Sequence, residues 1–220
     1  MTRSESNTAA QNADFSTWWT PRRTKLAALG GLVGGVGGLL SSFGGLGLAG
    51  VSLGDTGIGI TPDTIIILYP VLHILMAVGV LAANGWYGTK YGPRGRIFAM
   101  LLALSLVGEA GTILVLMVGR AALGELLLPI GILHATTYMA IRLFGSLYGI
   151  SLWRHTNASR LTAGLFIVLF PAIFILPPLV LIGFPPTLIG APLDLAFIAL
   201  GYDLWRTSTD TSVRGTESLQ

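Results

Sequence analysis

The chain of 220 residues contains no cysteine, which excludes disulfides, thiolate nucleophiles and cysteine metal ligands. It also has little charge: Asp, Glu, Lys and Arg make up 10% of the residues, against about 25% in a typical soluble domain. Hydrophobic residues reach 52%, and the mean hydropathy is +0.73. So few charges cannot cover a water-facing surface, and a net charge of +3 is too small and dispersed for nucleic-acid binding. The composition indicates a membrane protein.

Six apolar segments are long enough to cross a bilayer, which requires about 20 residues of helix. The longest uncharged run, 161–193, is too long for one crossing and is divided by Pro185-Pro186, which cannot continue a helix. The sequence therefore predicts an all-α, six-helix transmembrane bundle. The predicted spans are 26–50, 64–86, 97–119, 126–153, 161–183 and 187–205, between disordered tails at 1–20 and 207–220.

Basic residues are concentrated on one side of this predicted topology. Of the 13 Lys and Arg residues, Arg120 alone falls on the opposite side and Arg142 lies within a span. By the positive-inside bias, both termini are cytoplasmic and the protein resides in the plasma membrane. Tryptophans support this orientation as a one-sided interfacial belt, at positions Trp18, Trp19, Trp86, Trp153 and Trp205.

The first span is rich in glycine. Gly30, Gly34, Gly38 and Ser42 recur every four residues, a glycine-zipper pattern that lets helices approach backbone to backbone. The partner is either another helix of the same chain or a second copy in a homo-oligomer. Arg22-Arg23 before this span leaves a second interpretation open, a cleaved twin-arginine export signal.

Ionisable residues inside spans are energetically costly, so they are the candidate functional residues. Glu109 lies near the middle of the third span, and His73 lies near the middle of the second, three residues after Pro70. Unpaired charges facing lipid would cost several kcal/mol, so these side chains are expected to face inward around one buried polar site. The remaining members are a polar stripe on the fourth span, His134, Tyr138 and Arg142, and Asp194 at the outer end of the sixth.

Three functions fit this polar set. The leading prediction is transport of a small solute, an ion or protons through the buried site. The alternative is a structural or regulatory membrane subunit in which Glu109 and Arg142 form a buried clamp. The third is a membrane electron carrier with His73 and His134 as axial haem ligands; no other cofactor, metal or catalytic site is expected. No Ser has a nucleophile-elbow context and no His-Glu-x-x-His spacing occurs, so the sequence favours no enzyme.

Two segments carry a resemblance to known proteins. These are Gly145-x-x-Tyr148-Gly149-x-x-Leu152-Trp153-Arg154 and Ala199-Leu200-Gly201-Tyr202-Asp203-Leu204-Trp205-Arg206. In these two segments the chain resembles the small multi-span membrane proteins common in bacteria and archaea, in which a span ends in a Gly-Tyr/Leu-Trp-Arg anchor. The resemblance implies a helical membrane domain and assigns no activity, substrate or site residue.

Overall fold

A computed structural model describes residues 19–47, 62–119, 127–183 and 189–217. Within these ranges all regular structure is α-helical and no strand occurs, so the predicted all-α class is confirmed there. The helices are α1 Pro21–Gly47, α2 Pro62–Tyr87, α3 Gly92–Gly119, α4 Leu127–His155, α5 Arg160–Ile167, α6 Leu169–Leu181 and α7 Ala191–Glu217. The predicted tail 1–20 lies almost wholly outside the described residues.

The helices are arranged around one core. Helix α1 packs between α2 and α7, α3 packs between α2 and α4, and α5 completes the ring between α4 and α7. The centre is filled by fully buried side chains, among them Leu102, Leu106 and Leu200. The outer surface is apolar as well: Leu104 is 67% exposed and Leu161 is 69% exposed. Large exposed apolar surface on several helices is expected where the surrounding medium is lipid.

Three helices are long and apolar enough to cross a membrane by length and composition, namely α1, α2 and α3. Helices α5 and α6 form a fourth candidate if they count as one span, because they meet at a bend of 59°. The chain therefore has the character of a membrane-associated protein. The predicted division at Pro185-Pro186 lies outside the described residues. Helix α6 ends before it at Leu181, and Gly183 takes a positive φ of 101°.

Helix α7 differs from the predicted sixth span at both ends. It begins at Ala191 rather than 187, and it continues to Glu217, through most of the segment 207–220 that was predicted to be a disordered tail. Hydroxyl groups support this extension, because Thr207 Oγ1 donates to the Asp203 carbonyl oxygen at 2.8 Å and Ser208 Oγ to the Trp205 carbonyl oxygen at 2.9 Å. Polar composition predicted a tail here, but no proline interrupts the helix.

The glycines of α1 lie against two neighbouring helices of the same chain. A Cβ atom added at Gly34 would come within 2.9 Å of the Leu72 carbonyl oxygen in α2. A Cβ added at Gly38 would come within 2.1 Å of Asp194 Oδ1 in α7. Gly30 faces α2, while the side chain of Ser42 lies outside the described residues. These close approaches explain why α1 needs small residues.

The fifth predicted span is broken between α5 and α6, at Val168. Pro171 has no N–H to bond the carbonyl of Ile167, which would otherwise lack a donor. Ser146 of α4 fills the gap: its Oγ donates to the Ile167 carbonyl oxygen at 2.8 Å and accepts from the Phe170 N–H at 2.9 Å. The Ser146 hydroxyl therefore provides a hydrogen-bond partner for the carbonyl on one side of the break and for the N–H on the other.

Ser146→Ala is expected to lower the free energy of unfolding by about 1–3 kcal/mol, since it leaves a buried carbonyl and a buried N–H without partners. Pro171→Ala restores a backbone N–H, so the cost of Ser146→Ala should be smaller in that background. Ser151→Ala is the matched control, because Ser151 Oγ bonds the Leu147 carbonyl of its own helix at 3.1 Å. Unfolding in mixed micelles measures all four variants; equal costs in both backgrounds would contradict the assignment.

The opposite end of α5 is held by α7. The Asp203 carboxylate accepts hydrogen bonds from the Ser159 N–H at 2.8 Å and from Thr162 Oγ1 at 2.7 Å. Ser159 is also the N-cap of α5, and its Oγ accepts from the Thr162 N–H at 3.1 Å. A buried acid thus fixes where α5 begins and ties it to α7.

Candidate functional site

One cavity of about 380 Å³ brings together side chains from four helices. All six residues of the predicted buried polar site line it: His73, Glu109, His134, Tyr138, Arg142 and Asp194. Tyr69, Ile189 and Gly190 add to the lining, and Ile113, Ile141 and Leu193 supply apolar wall. We call this space the polar cavity.

The polar cavity lies at the same depth on adjacent helices. Glu109 is ten residues before the end of α3, and His73 is eleven residues after the start of α2. At 1.5 Å per residue both are about 15 Å from those helix ends. Because α2 and α3 run in opposite directions, these two side chains lie at the same level and line the same cavity. Their shared depth follows from their positions along two long helices rather than from any short motif.

Glu109 lies against two side chains of α4. Its Oε2 accepts a hydrogen bond from Thr137 Oγ1, and its Oε1 lies 3.2 Å from His134 Nδ1, which does not meet the geometry of a hydrogen bond. The carboxylate is almost fully buried, whereas 38% of the His134 side chain is exposed. A buried carboxylate in an apolar bundle is stabilised by a hydroxyl donor and a nearby imidazole.

Arg142 is 1% exposed and is bound by neutral groups. Its Nη2 donates to the Tyr138 hydroxyl at 2.9 Å and to the Ile189 carbonyl oxygen at 3.0 Å. The guanidinium carbon also lies 4.8 Å from the centre of the Tyr138 ring. Its Nε has no hydrogen-bond partner in the described structure. The guanidinium therefore adds positive potential to the polar cavity.

His73 presents one defined nitrogen to the polar cavity. Its Nδ1 lies 2.8 Å from the Tyr69 carbonyl oxygen, so Nδ1 carries the hydrogen and donates it. In the neutral ring Nε2 then has a free lone pair and can accept a proton. Helix α2 continues through Pro70 without a break, and His73 is one helical turn after Tyr69 along the chain.

Asp194 lies in the first turn of α7, where the helix dipole stabilises a carboxylate. The same side chain lies over Gly38 of α1, so it joins the polar cavity to the glycine-rich helix. Because α7 starts at Ala191, Asp194 is a first-turn acid as well as a lining residue.

Aromatic side chains fill the bundle interior beside the polar cavity. The rings of Tyr148 and Phe166 are 5.4 Å apart, as are those of Phe166 and Phe197, and all three residues are fully buried. Tyr91 continues the series at 6.0 Å from Tyr148. Tyr148 is six residues after Arg142, about 9 Å further along α4. This aromatic layer packs the half of the bundle in which α2 and α4 end.

Sequence reasoning missed Thr137, Tyr69 and Ser146. Thr137 follows His134 by three residues on α4, a spacing that places both on one helix face and could have suggested a shared partner. The Ile189 carbonyl left no sequence signal, because any residue supplies a carbonyl. Gly145 and Gly149 of α4 lie against α6 and α5: an added Cβ would come within 2.6 Å of Leu169 and Phe166 respectively.

His73 and His134 line the same polar cavity from α2 and α4, and the Nδ1 atom of each faces a protein oxygen. Their role as haem ligands stays a prediction. In the part of the chain that the structure describes, no group of three or more His, Asp or Glu side chains is placed to hold a metal ion.

Comparisons with protein-family models, with curated proteins and with solved structures found no match to this chain. The function is therefore argued from the polar cavity itself.

Proposed function

We propose that this chain is a six-span plasma-membrane protein, with both termini cytoplasmic, that binds and transports a small solute or ion through the polar cavity. The observation that carries the proposal is the convergence of six titratable or hydrogen-bonding side chains on one space inside an apolar bundle. Charged residues within membranes are costly, and they commonly mark substrate or proton pathways. A cavity of about 380 Å³ is at the lower end for ligand sites, which favours a small solute.

Exposed apolar side chains support further spans beyond the three most apolar helices. On α4, Leu128 is 73% exposed and Ile132 is 59% exposed; on α6, Phe174 is 64% exposed. These side chains would be poorly placed in water. With α5 and α6 as one bent span and α7 antiparallel to α1, the chain crosses six times, as the basic residues suggest.

The position of the polar cavity supports transport over simple packing. It lies toward the helix ends predicted to be outside, while the aromatic layer fills the other half. A transporter exposes its site to one side at a time, so this arrangement corresponds to a site open toward the outside. Passage inward would require the aromatic layer to separate, and the break at Val168 lies two residues after Phe166.

Uptake into proteoliposomes tests the proposal. Radiolabelled pyruvate, glycine, choline and glucose represent an anion, a zwitterion, a cation and a neutral solute. We expect at least one to enter faster than into protein-free vesicles. Ile113→Trp, which fills the polar cavity, should abolish that uptake, whereas Leu114→Trp, at a neighbouring position that is 52% exposed on the outer surface, should not. No protein-dependent uptake of any solute would favour the structural or regulatory subunit.

A further inference from the structure

The groups of the polar cavity that remain available to a ligand are mainly hydrogen-bond donors. The two carboxylates have neighbours of their own: Glu109 lies against His134 and Thr137, and Asp194 lies in the first turn of α7 over Gly38 of α1. Arg142, in contrast, is bound by a hydroxyl and a carbonyl, and no carboxylate forms an ion pair with it among the described side chains. A buried guanidinium without a carboxylate is costly unless another anion neutralises it.

Two further groups in the polar cavity can donate to an anion. The Tyr138 hydroxyl accepts from Arg142 Nη2, so its own hydrogen is free to donate. His73 anchors Nδ1 on the Tyr69 carbonyl, so a proton bound at Nε2 would face the polar cavity. The other charged or titratable groups that line the polar cavity are Tyr69 on α2, Glu109 on α3, His134, Tyr138 and Arg142 on α4 and Asp194 on α7.

The apolar part of the lining limits the rest of the ligand. Ile113, Ile141 and Leu193 leave room for a short aliphatic substituent and offer it no hydrogen bonds. A ligand with a polar group at each end would leave one end unsatisfied, which costs about 1–3 kcal/mol.

We infer that the polar cavity recognises a small monocarboxylate, held by Tyr138 and the positive potential of Arg142, and that His73 takes up a proton as the anion binds. This inference rests on the proposed function and names its substrate class. The carboxylate forms no covalent bond; one proton moves from solvent to His73 Nε2, so the pair enters as a neutral unit. Neutral entry reduces the cost of moving charge into a low-dielectric interior.

Binding to the purified full chain in nanodiscs tests this inference with three probes of matched size: propionate, propionamide and propylammonium. Calorimetry should show propionate binding at least about tenfold more tightly than propionamide, since hydrogen bonds to charged groups are stronger than those to neutral ones. Propylammonium should not compete with propionate. Chloride serves as a fourth probe. If chloride binds as tightly as propionate, the polar cavity recognises any small monovalent anion, and the assignment of a monocarboxylate is overturned.

Two variants separate the role of Tyr138 in binding the anion from the role of His73 in taking up a proton. Tyr138→Phe keeps the ring that lies under Arg142 but removes the hydroxyl, and it should weaken propionate binding about tenfold or more. His73→Gln should abolish the proton uptake that accompanies binding, measured by titration in buffers of different ionisation enthalpy. Proton uptake that persists in His73→Gln would overturn the role of His73, even where a folding defect had weakened affinity.

Failure of the inference is distinguishable from failure of the proposed function. Uptake of glycine or choline into proteoliposomes, without propionate binding, would overturn the monocarboxylate and leave transport in place. Absence of both binding and uptake for every probe would overturn both.

Discussion

Glu109→Gln is expected to lower the free energy of unfolding by about 1–3 kcal/mol. The glutamine side chain has nearly the same shape, but its amide oxygen is a weaker acceptor than a carboxylate for the Thr137 hydroxyl, and it places no negative charge beside His134. Reversible unfolding of wild-type and variant protein in mixed micelles measures the effect.

Ser105→Ala is the matched control for Glu109→Gln. Ser105 is also buried on α3, one turn before Glu109, but its Oγ donates to the Leu101 carbonyl of its own helix at 2.7 Å. That bond stays within one helix, so its loss should cost less than the loss of the contacts between Glu109 and α4. Equal costs for the two substitutions would contradict the role of Glu109 in holding α3 against α4.

The helical framework was readable from the sequence because membrane spans obey a simple rule of length and apolarity. Uncharged runs predicted where α1, α2 and α3 lie, whereas the division predicted at Pro185-Pro186 lies outside the described residues. The break at Val168 was not predicted, since it depends on Ser146 of a different helix as well as on Pro171. The extension of α7 to Glu217 was hidden by polar composition, which describes a tail and an exposed helix equally well.

The members of the polar cavity were predicted from charge alone, but their pairing was not. The cost of burying Glu109 and Arg142 predicts that both face inward, and both line the same space. Sequence suggested a direct clamp between them, whereas the structure pairs Glu109 with His134 and Arg142 with Tyr138. Which partner a buried charge takes depends on helix rotation and on distances of a few Å, and neither follows from spacing along the chain.

A double-mutant cycle distinguishes these two pairings by their coupling energies. We expect Glu109→Ala and His134→Ala to be coupled by about 1–3 kcal/mol in the free energy of unfolding, because each removes the other's partner. Glu109→Ala and Arg142→Met should show a smaller coupling, because these two side chains are not within ion-pair distance of each other. Reversible unfolding in mixed micelles, with all variants at one detergent composition, provides the free energies.

The outcome of the cycle bears directly on function. If the Arg142 coupling exceeds the His134 coupling, Glu109 and Arg142 act as a structural clamp, and the guanidinium has no need of an added anion. If the His134 coupling is larger, Glu109 is not the partner of Arg142, and a buried guanidinium of that kind is expensive to retain for folding alone. Unfolding is then measured again with added propionate. Propionate should raise the free energy of unfolding of the wild type and of the His134 variant, but not that of the Arg142 variant.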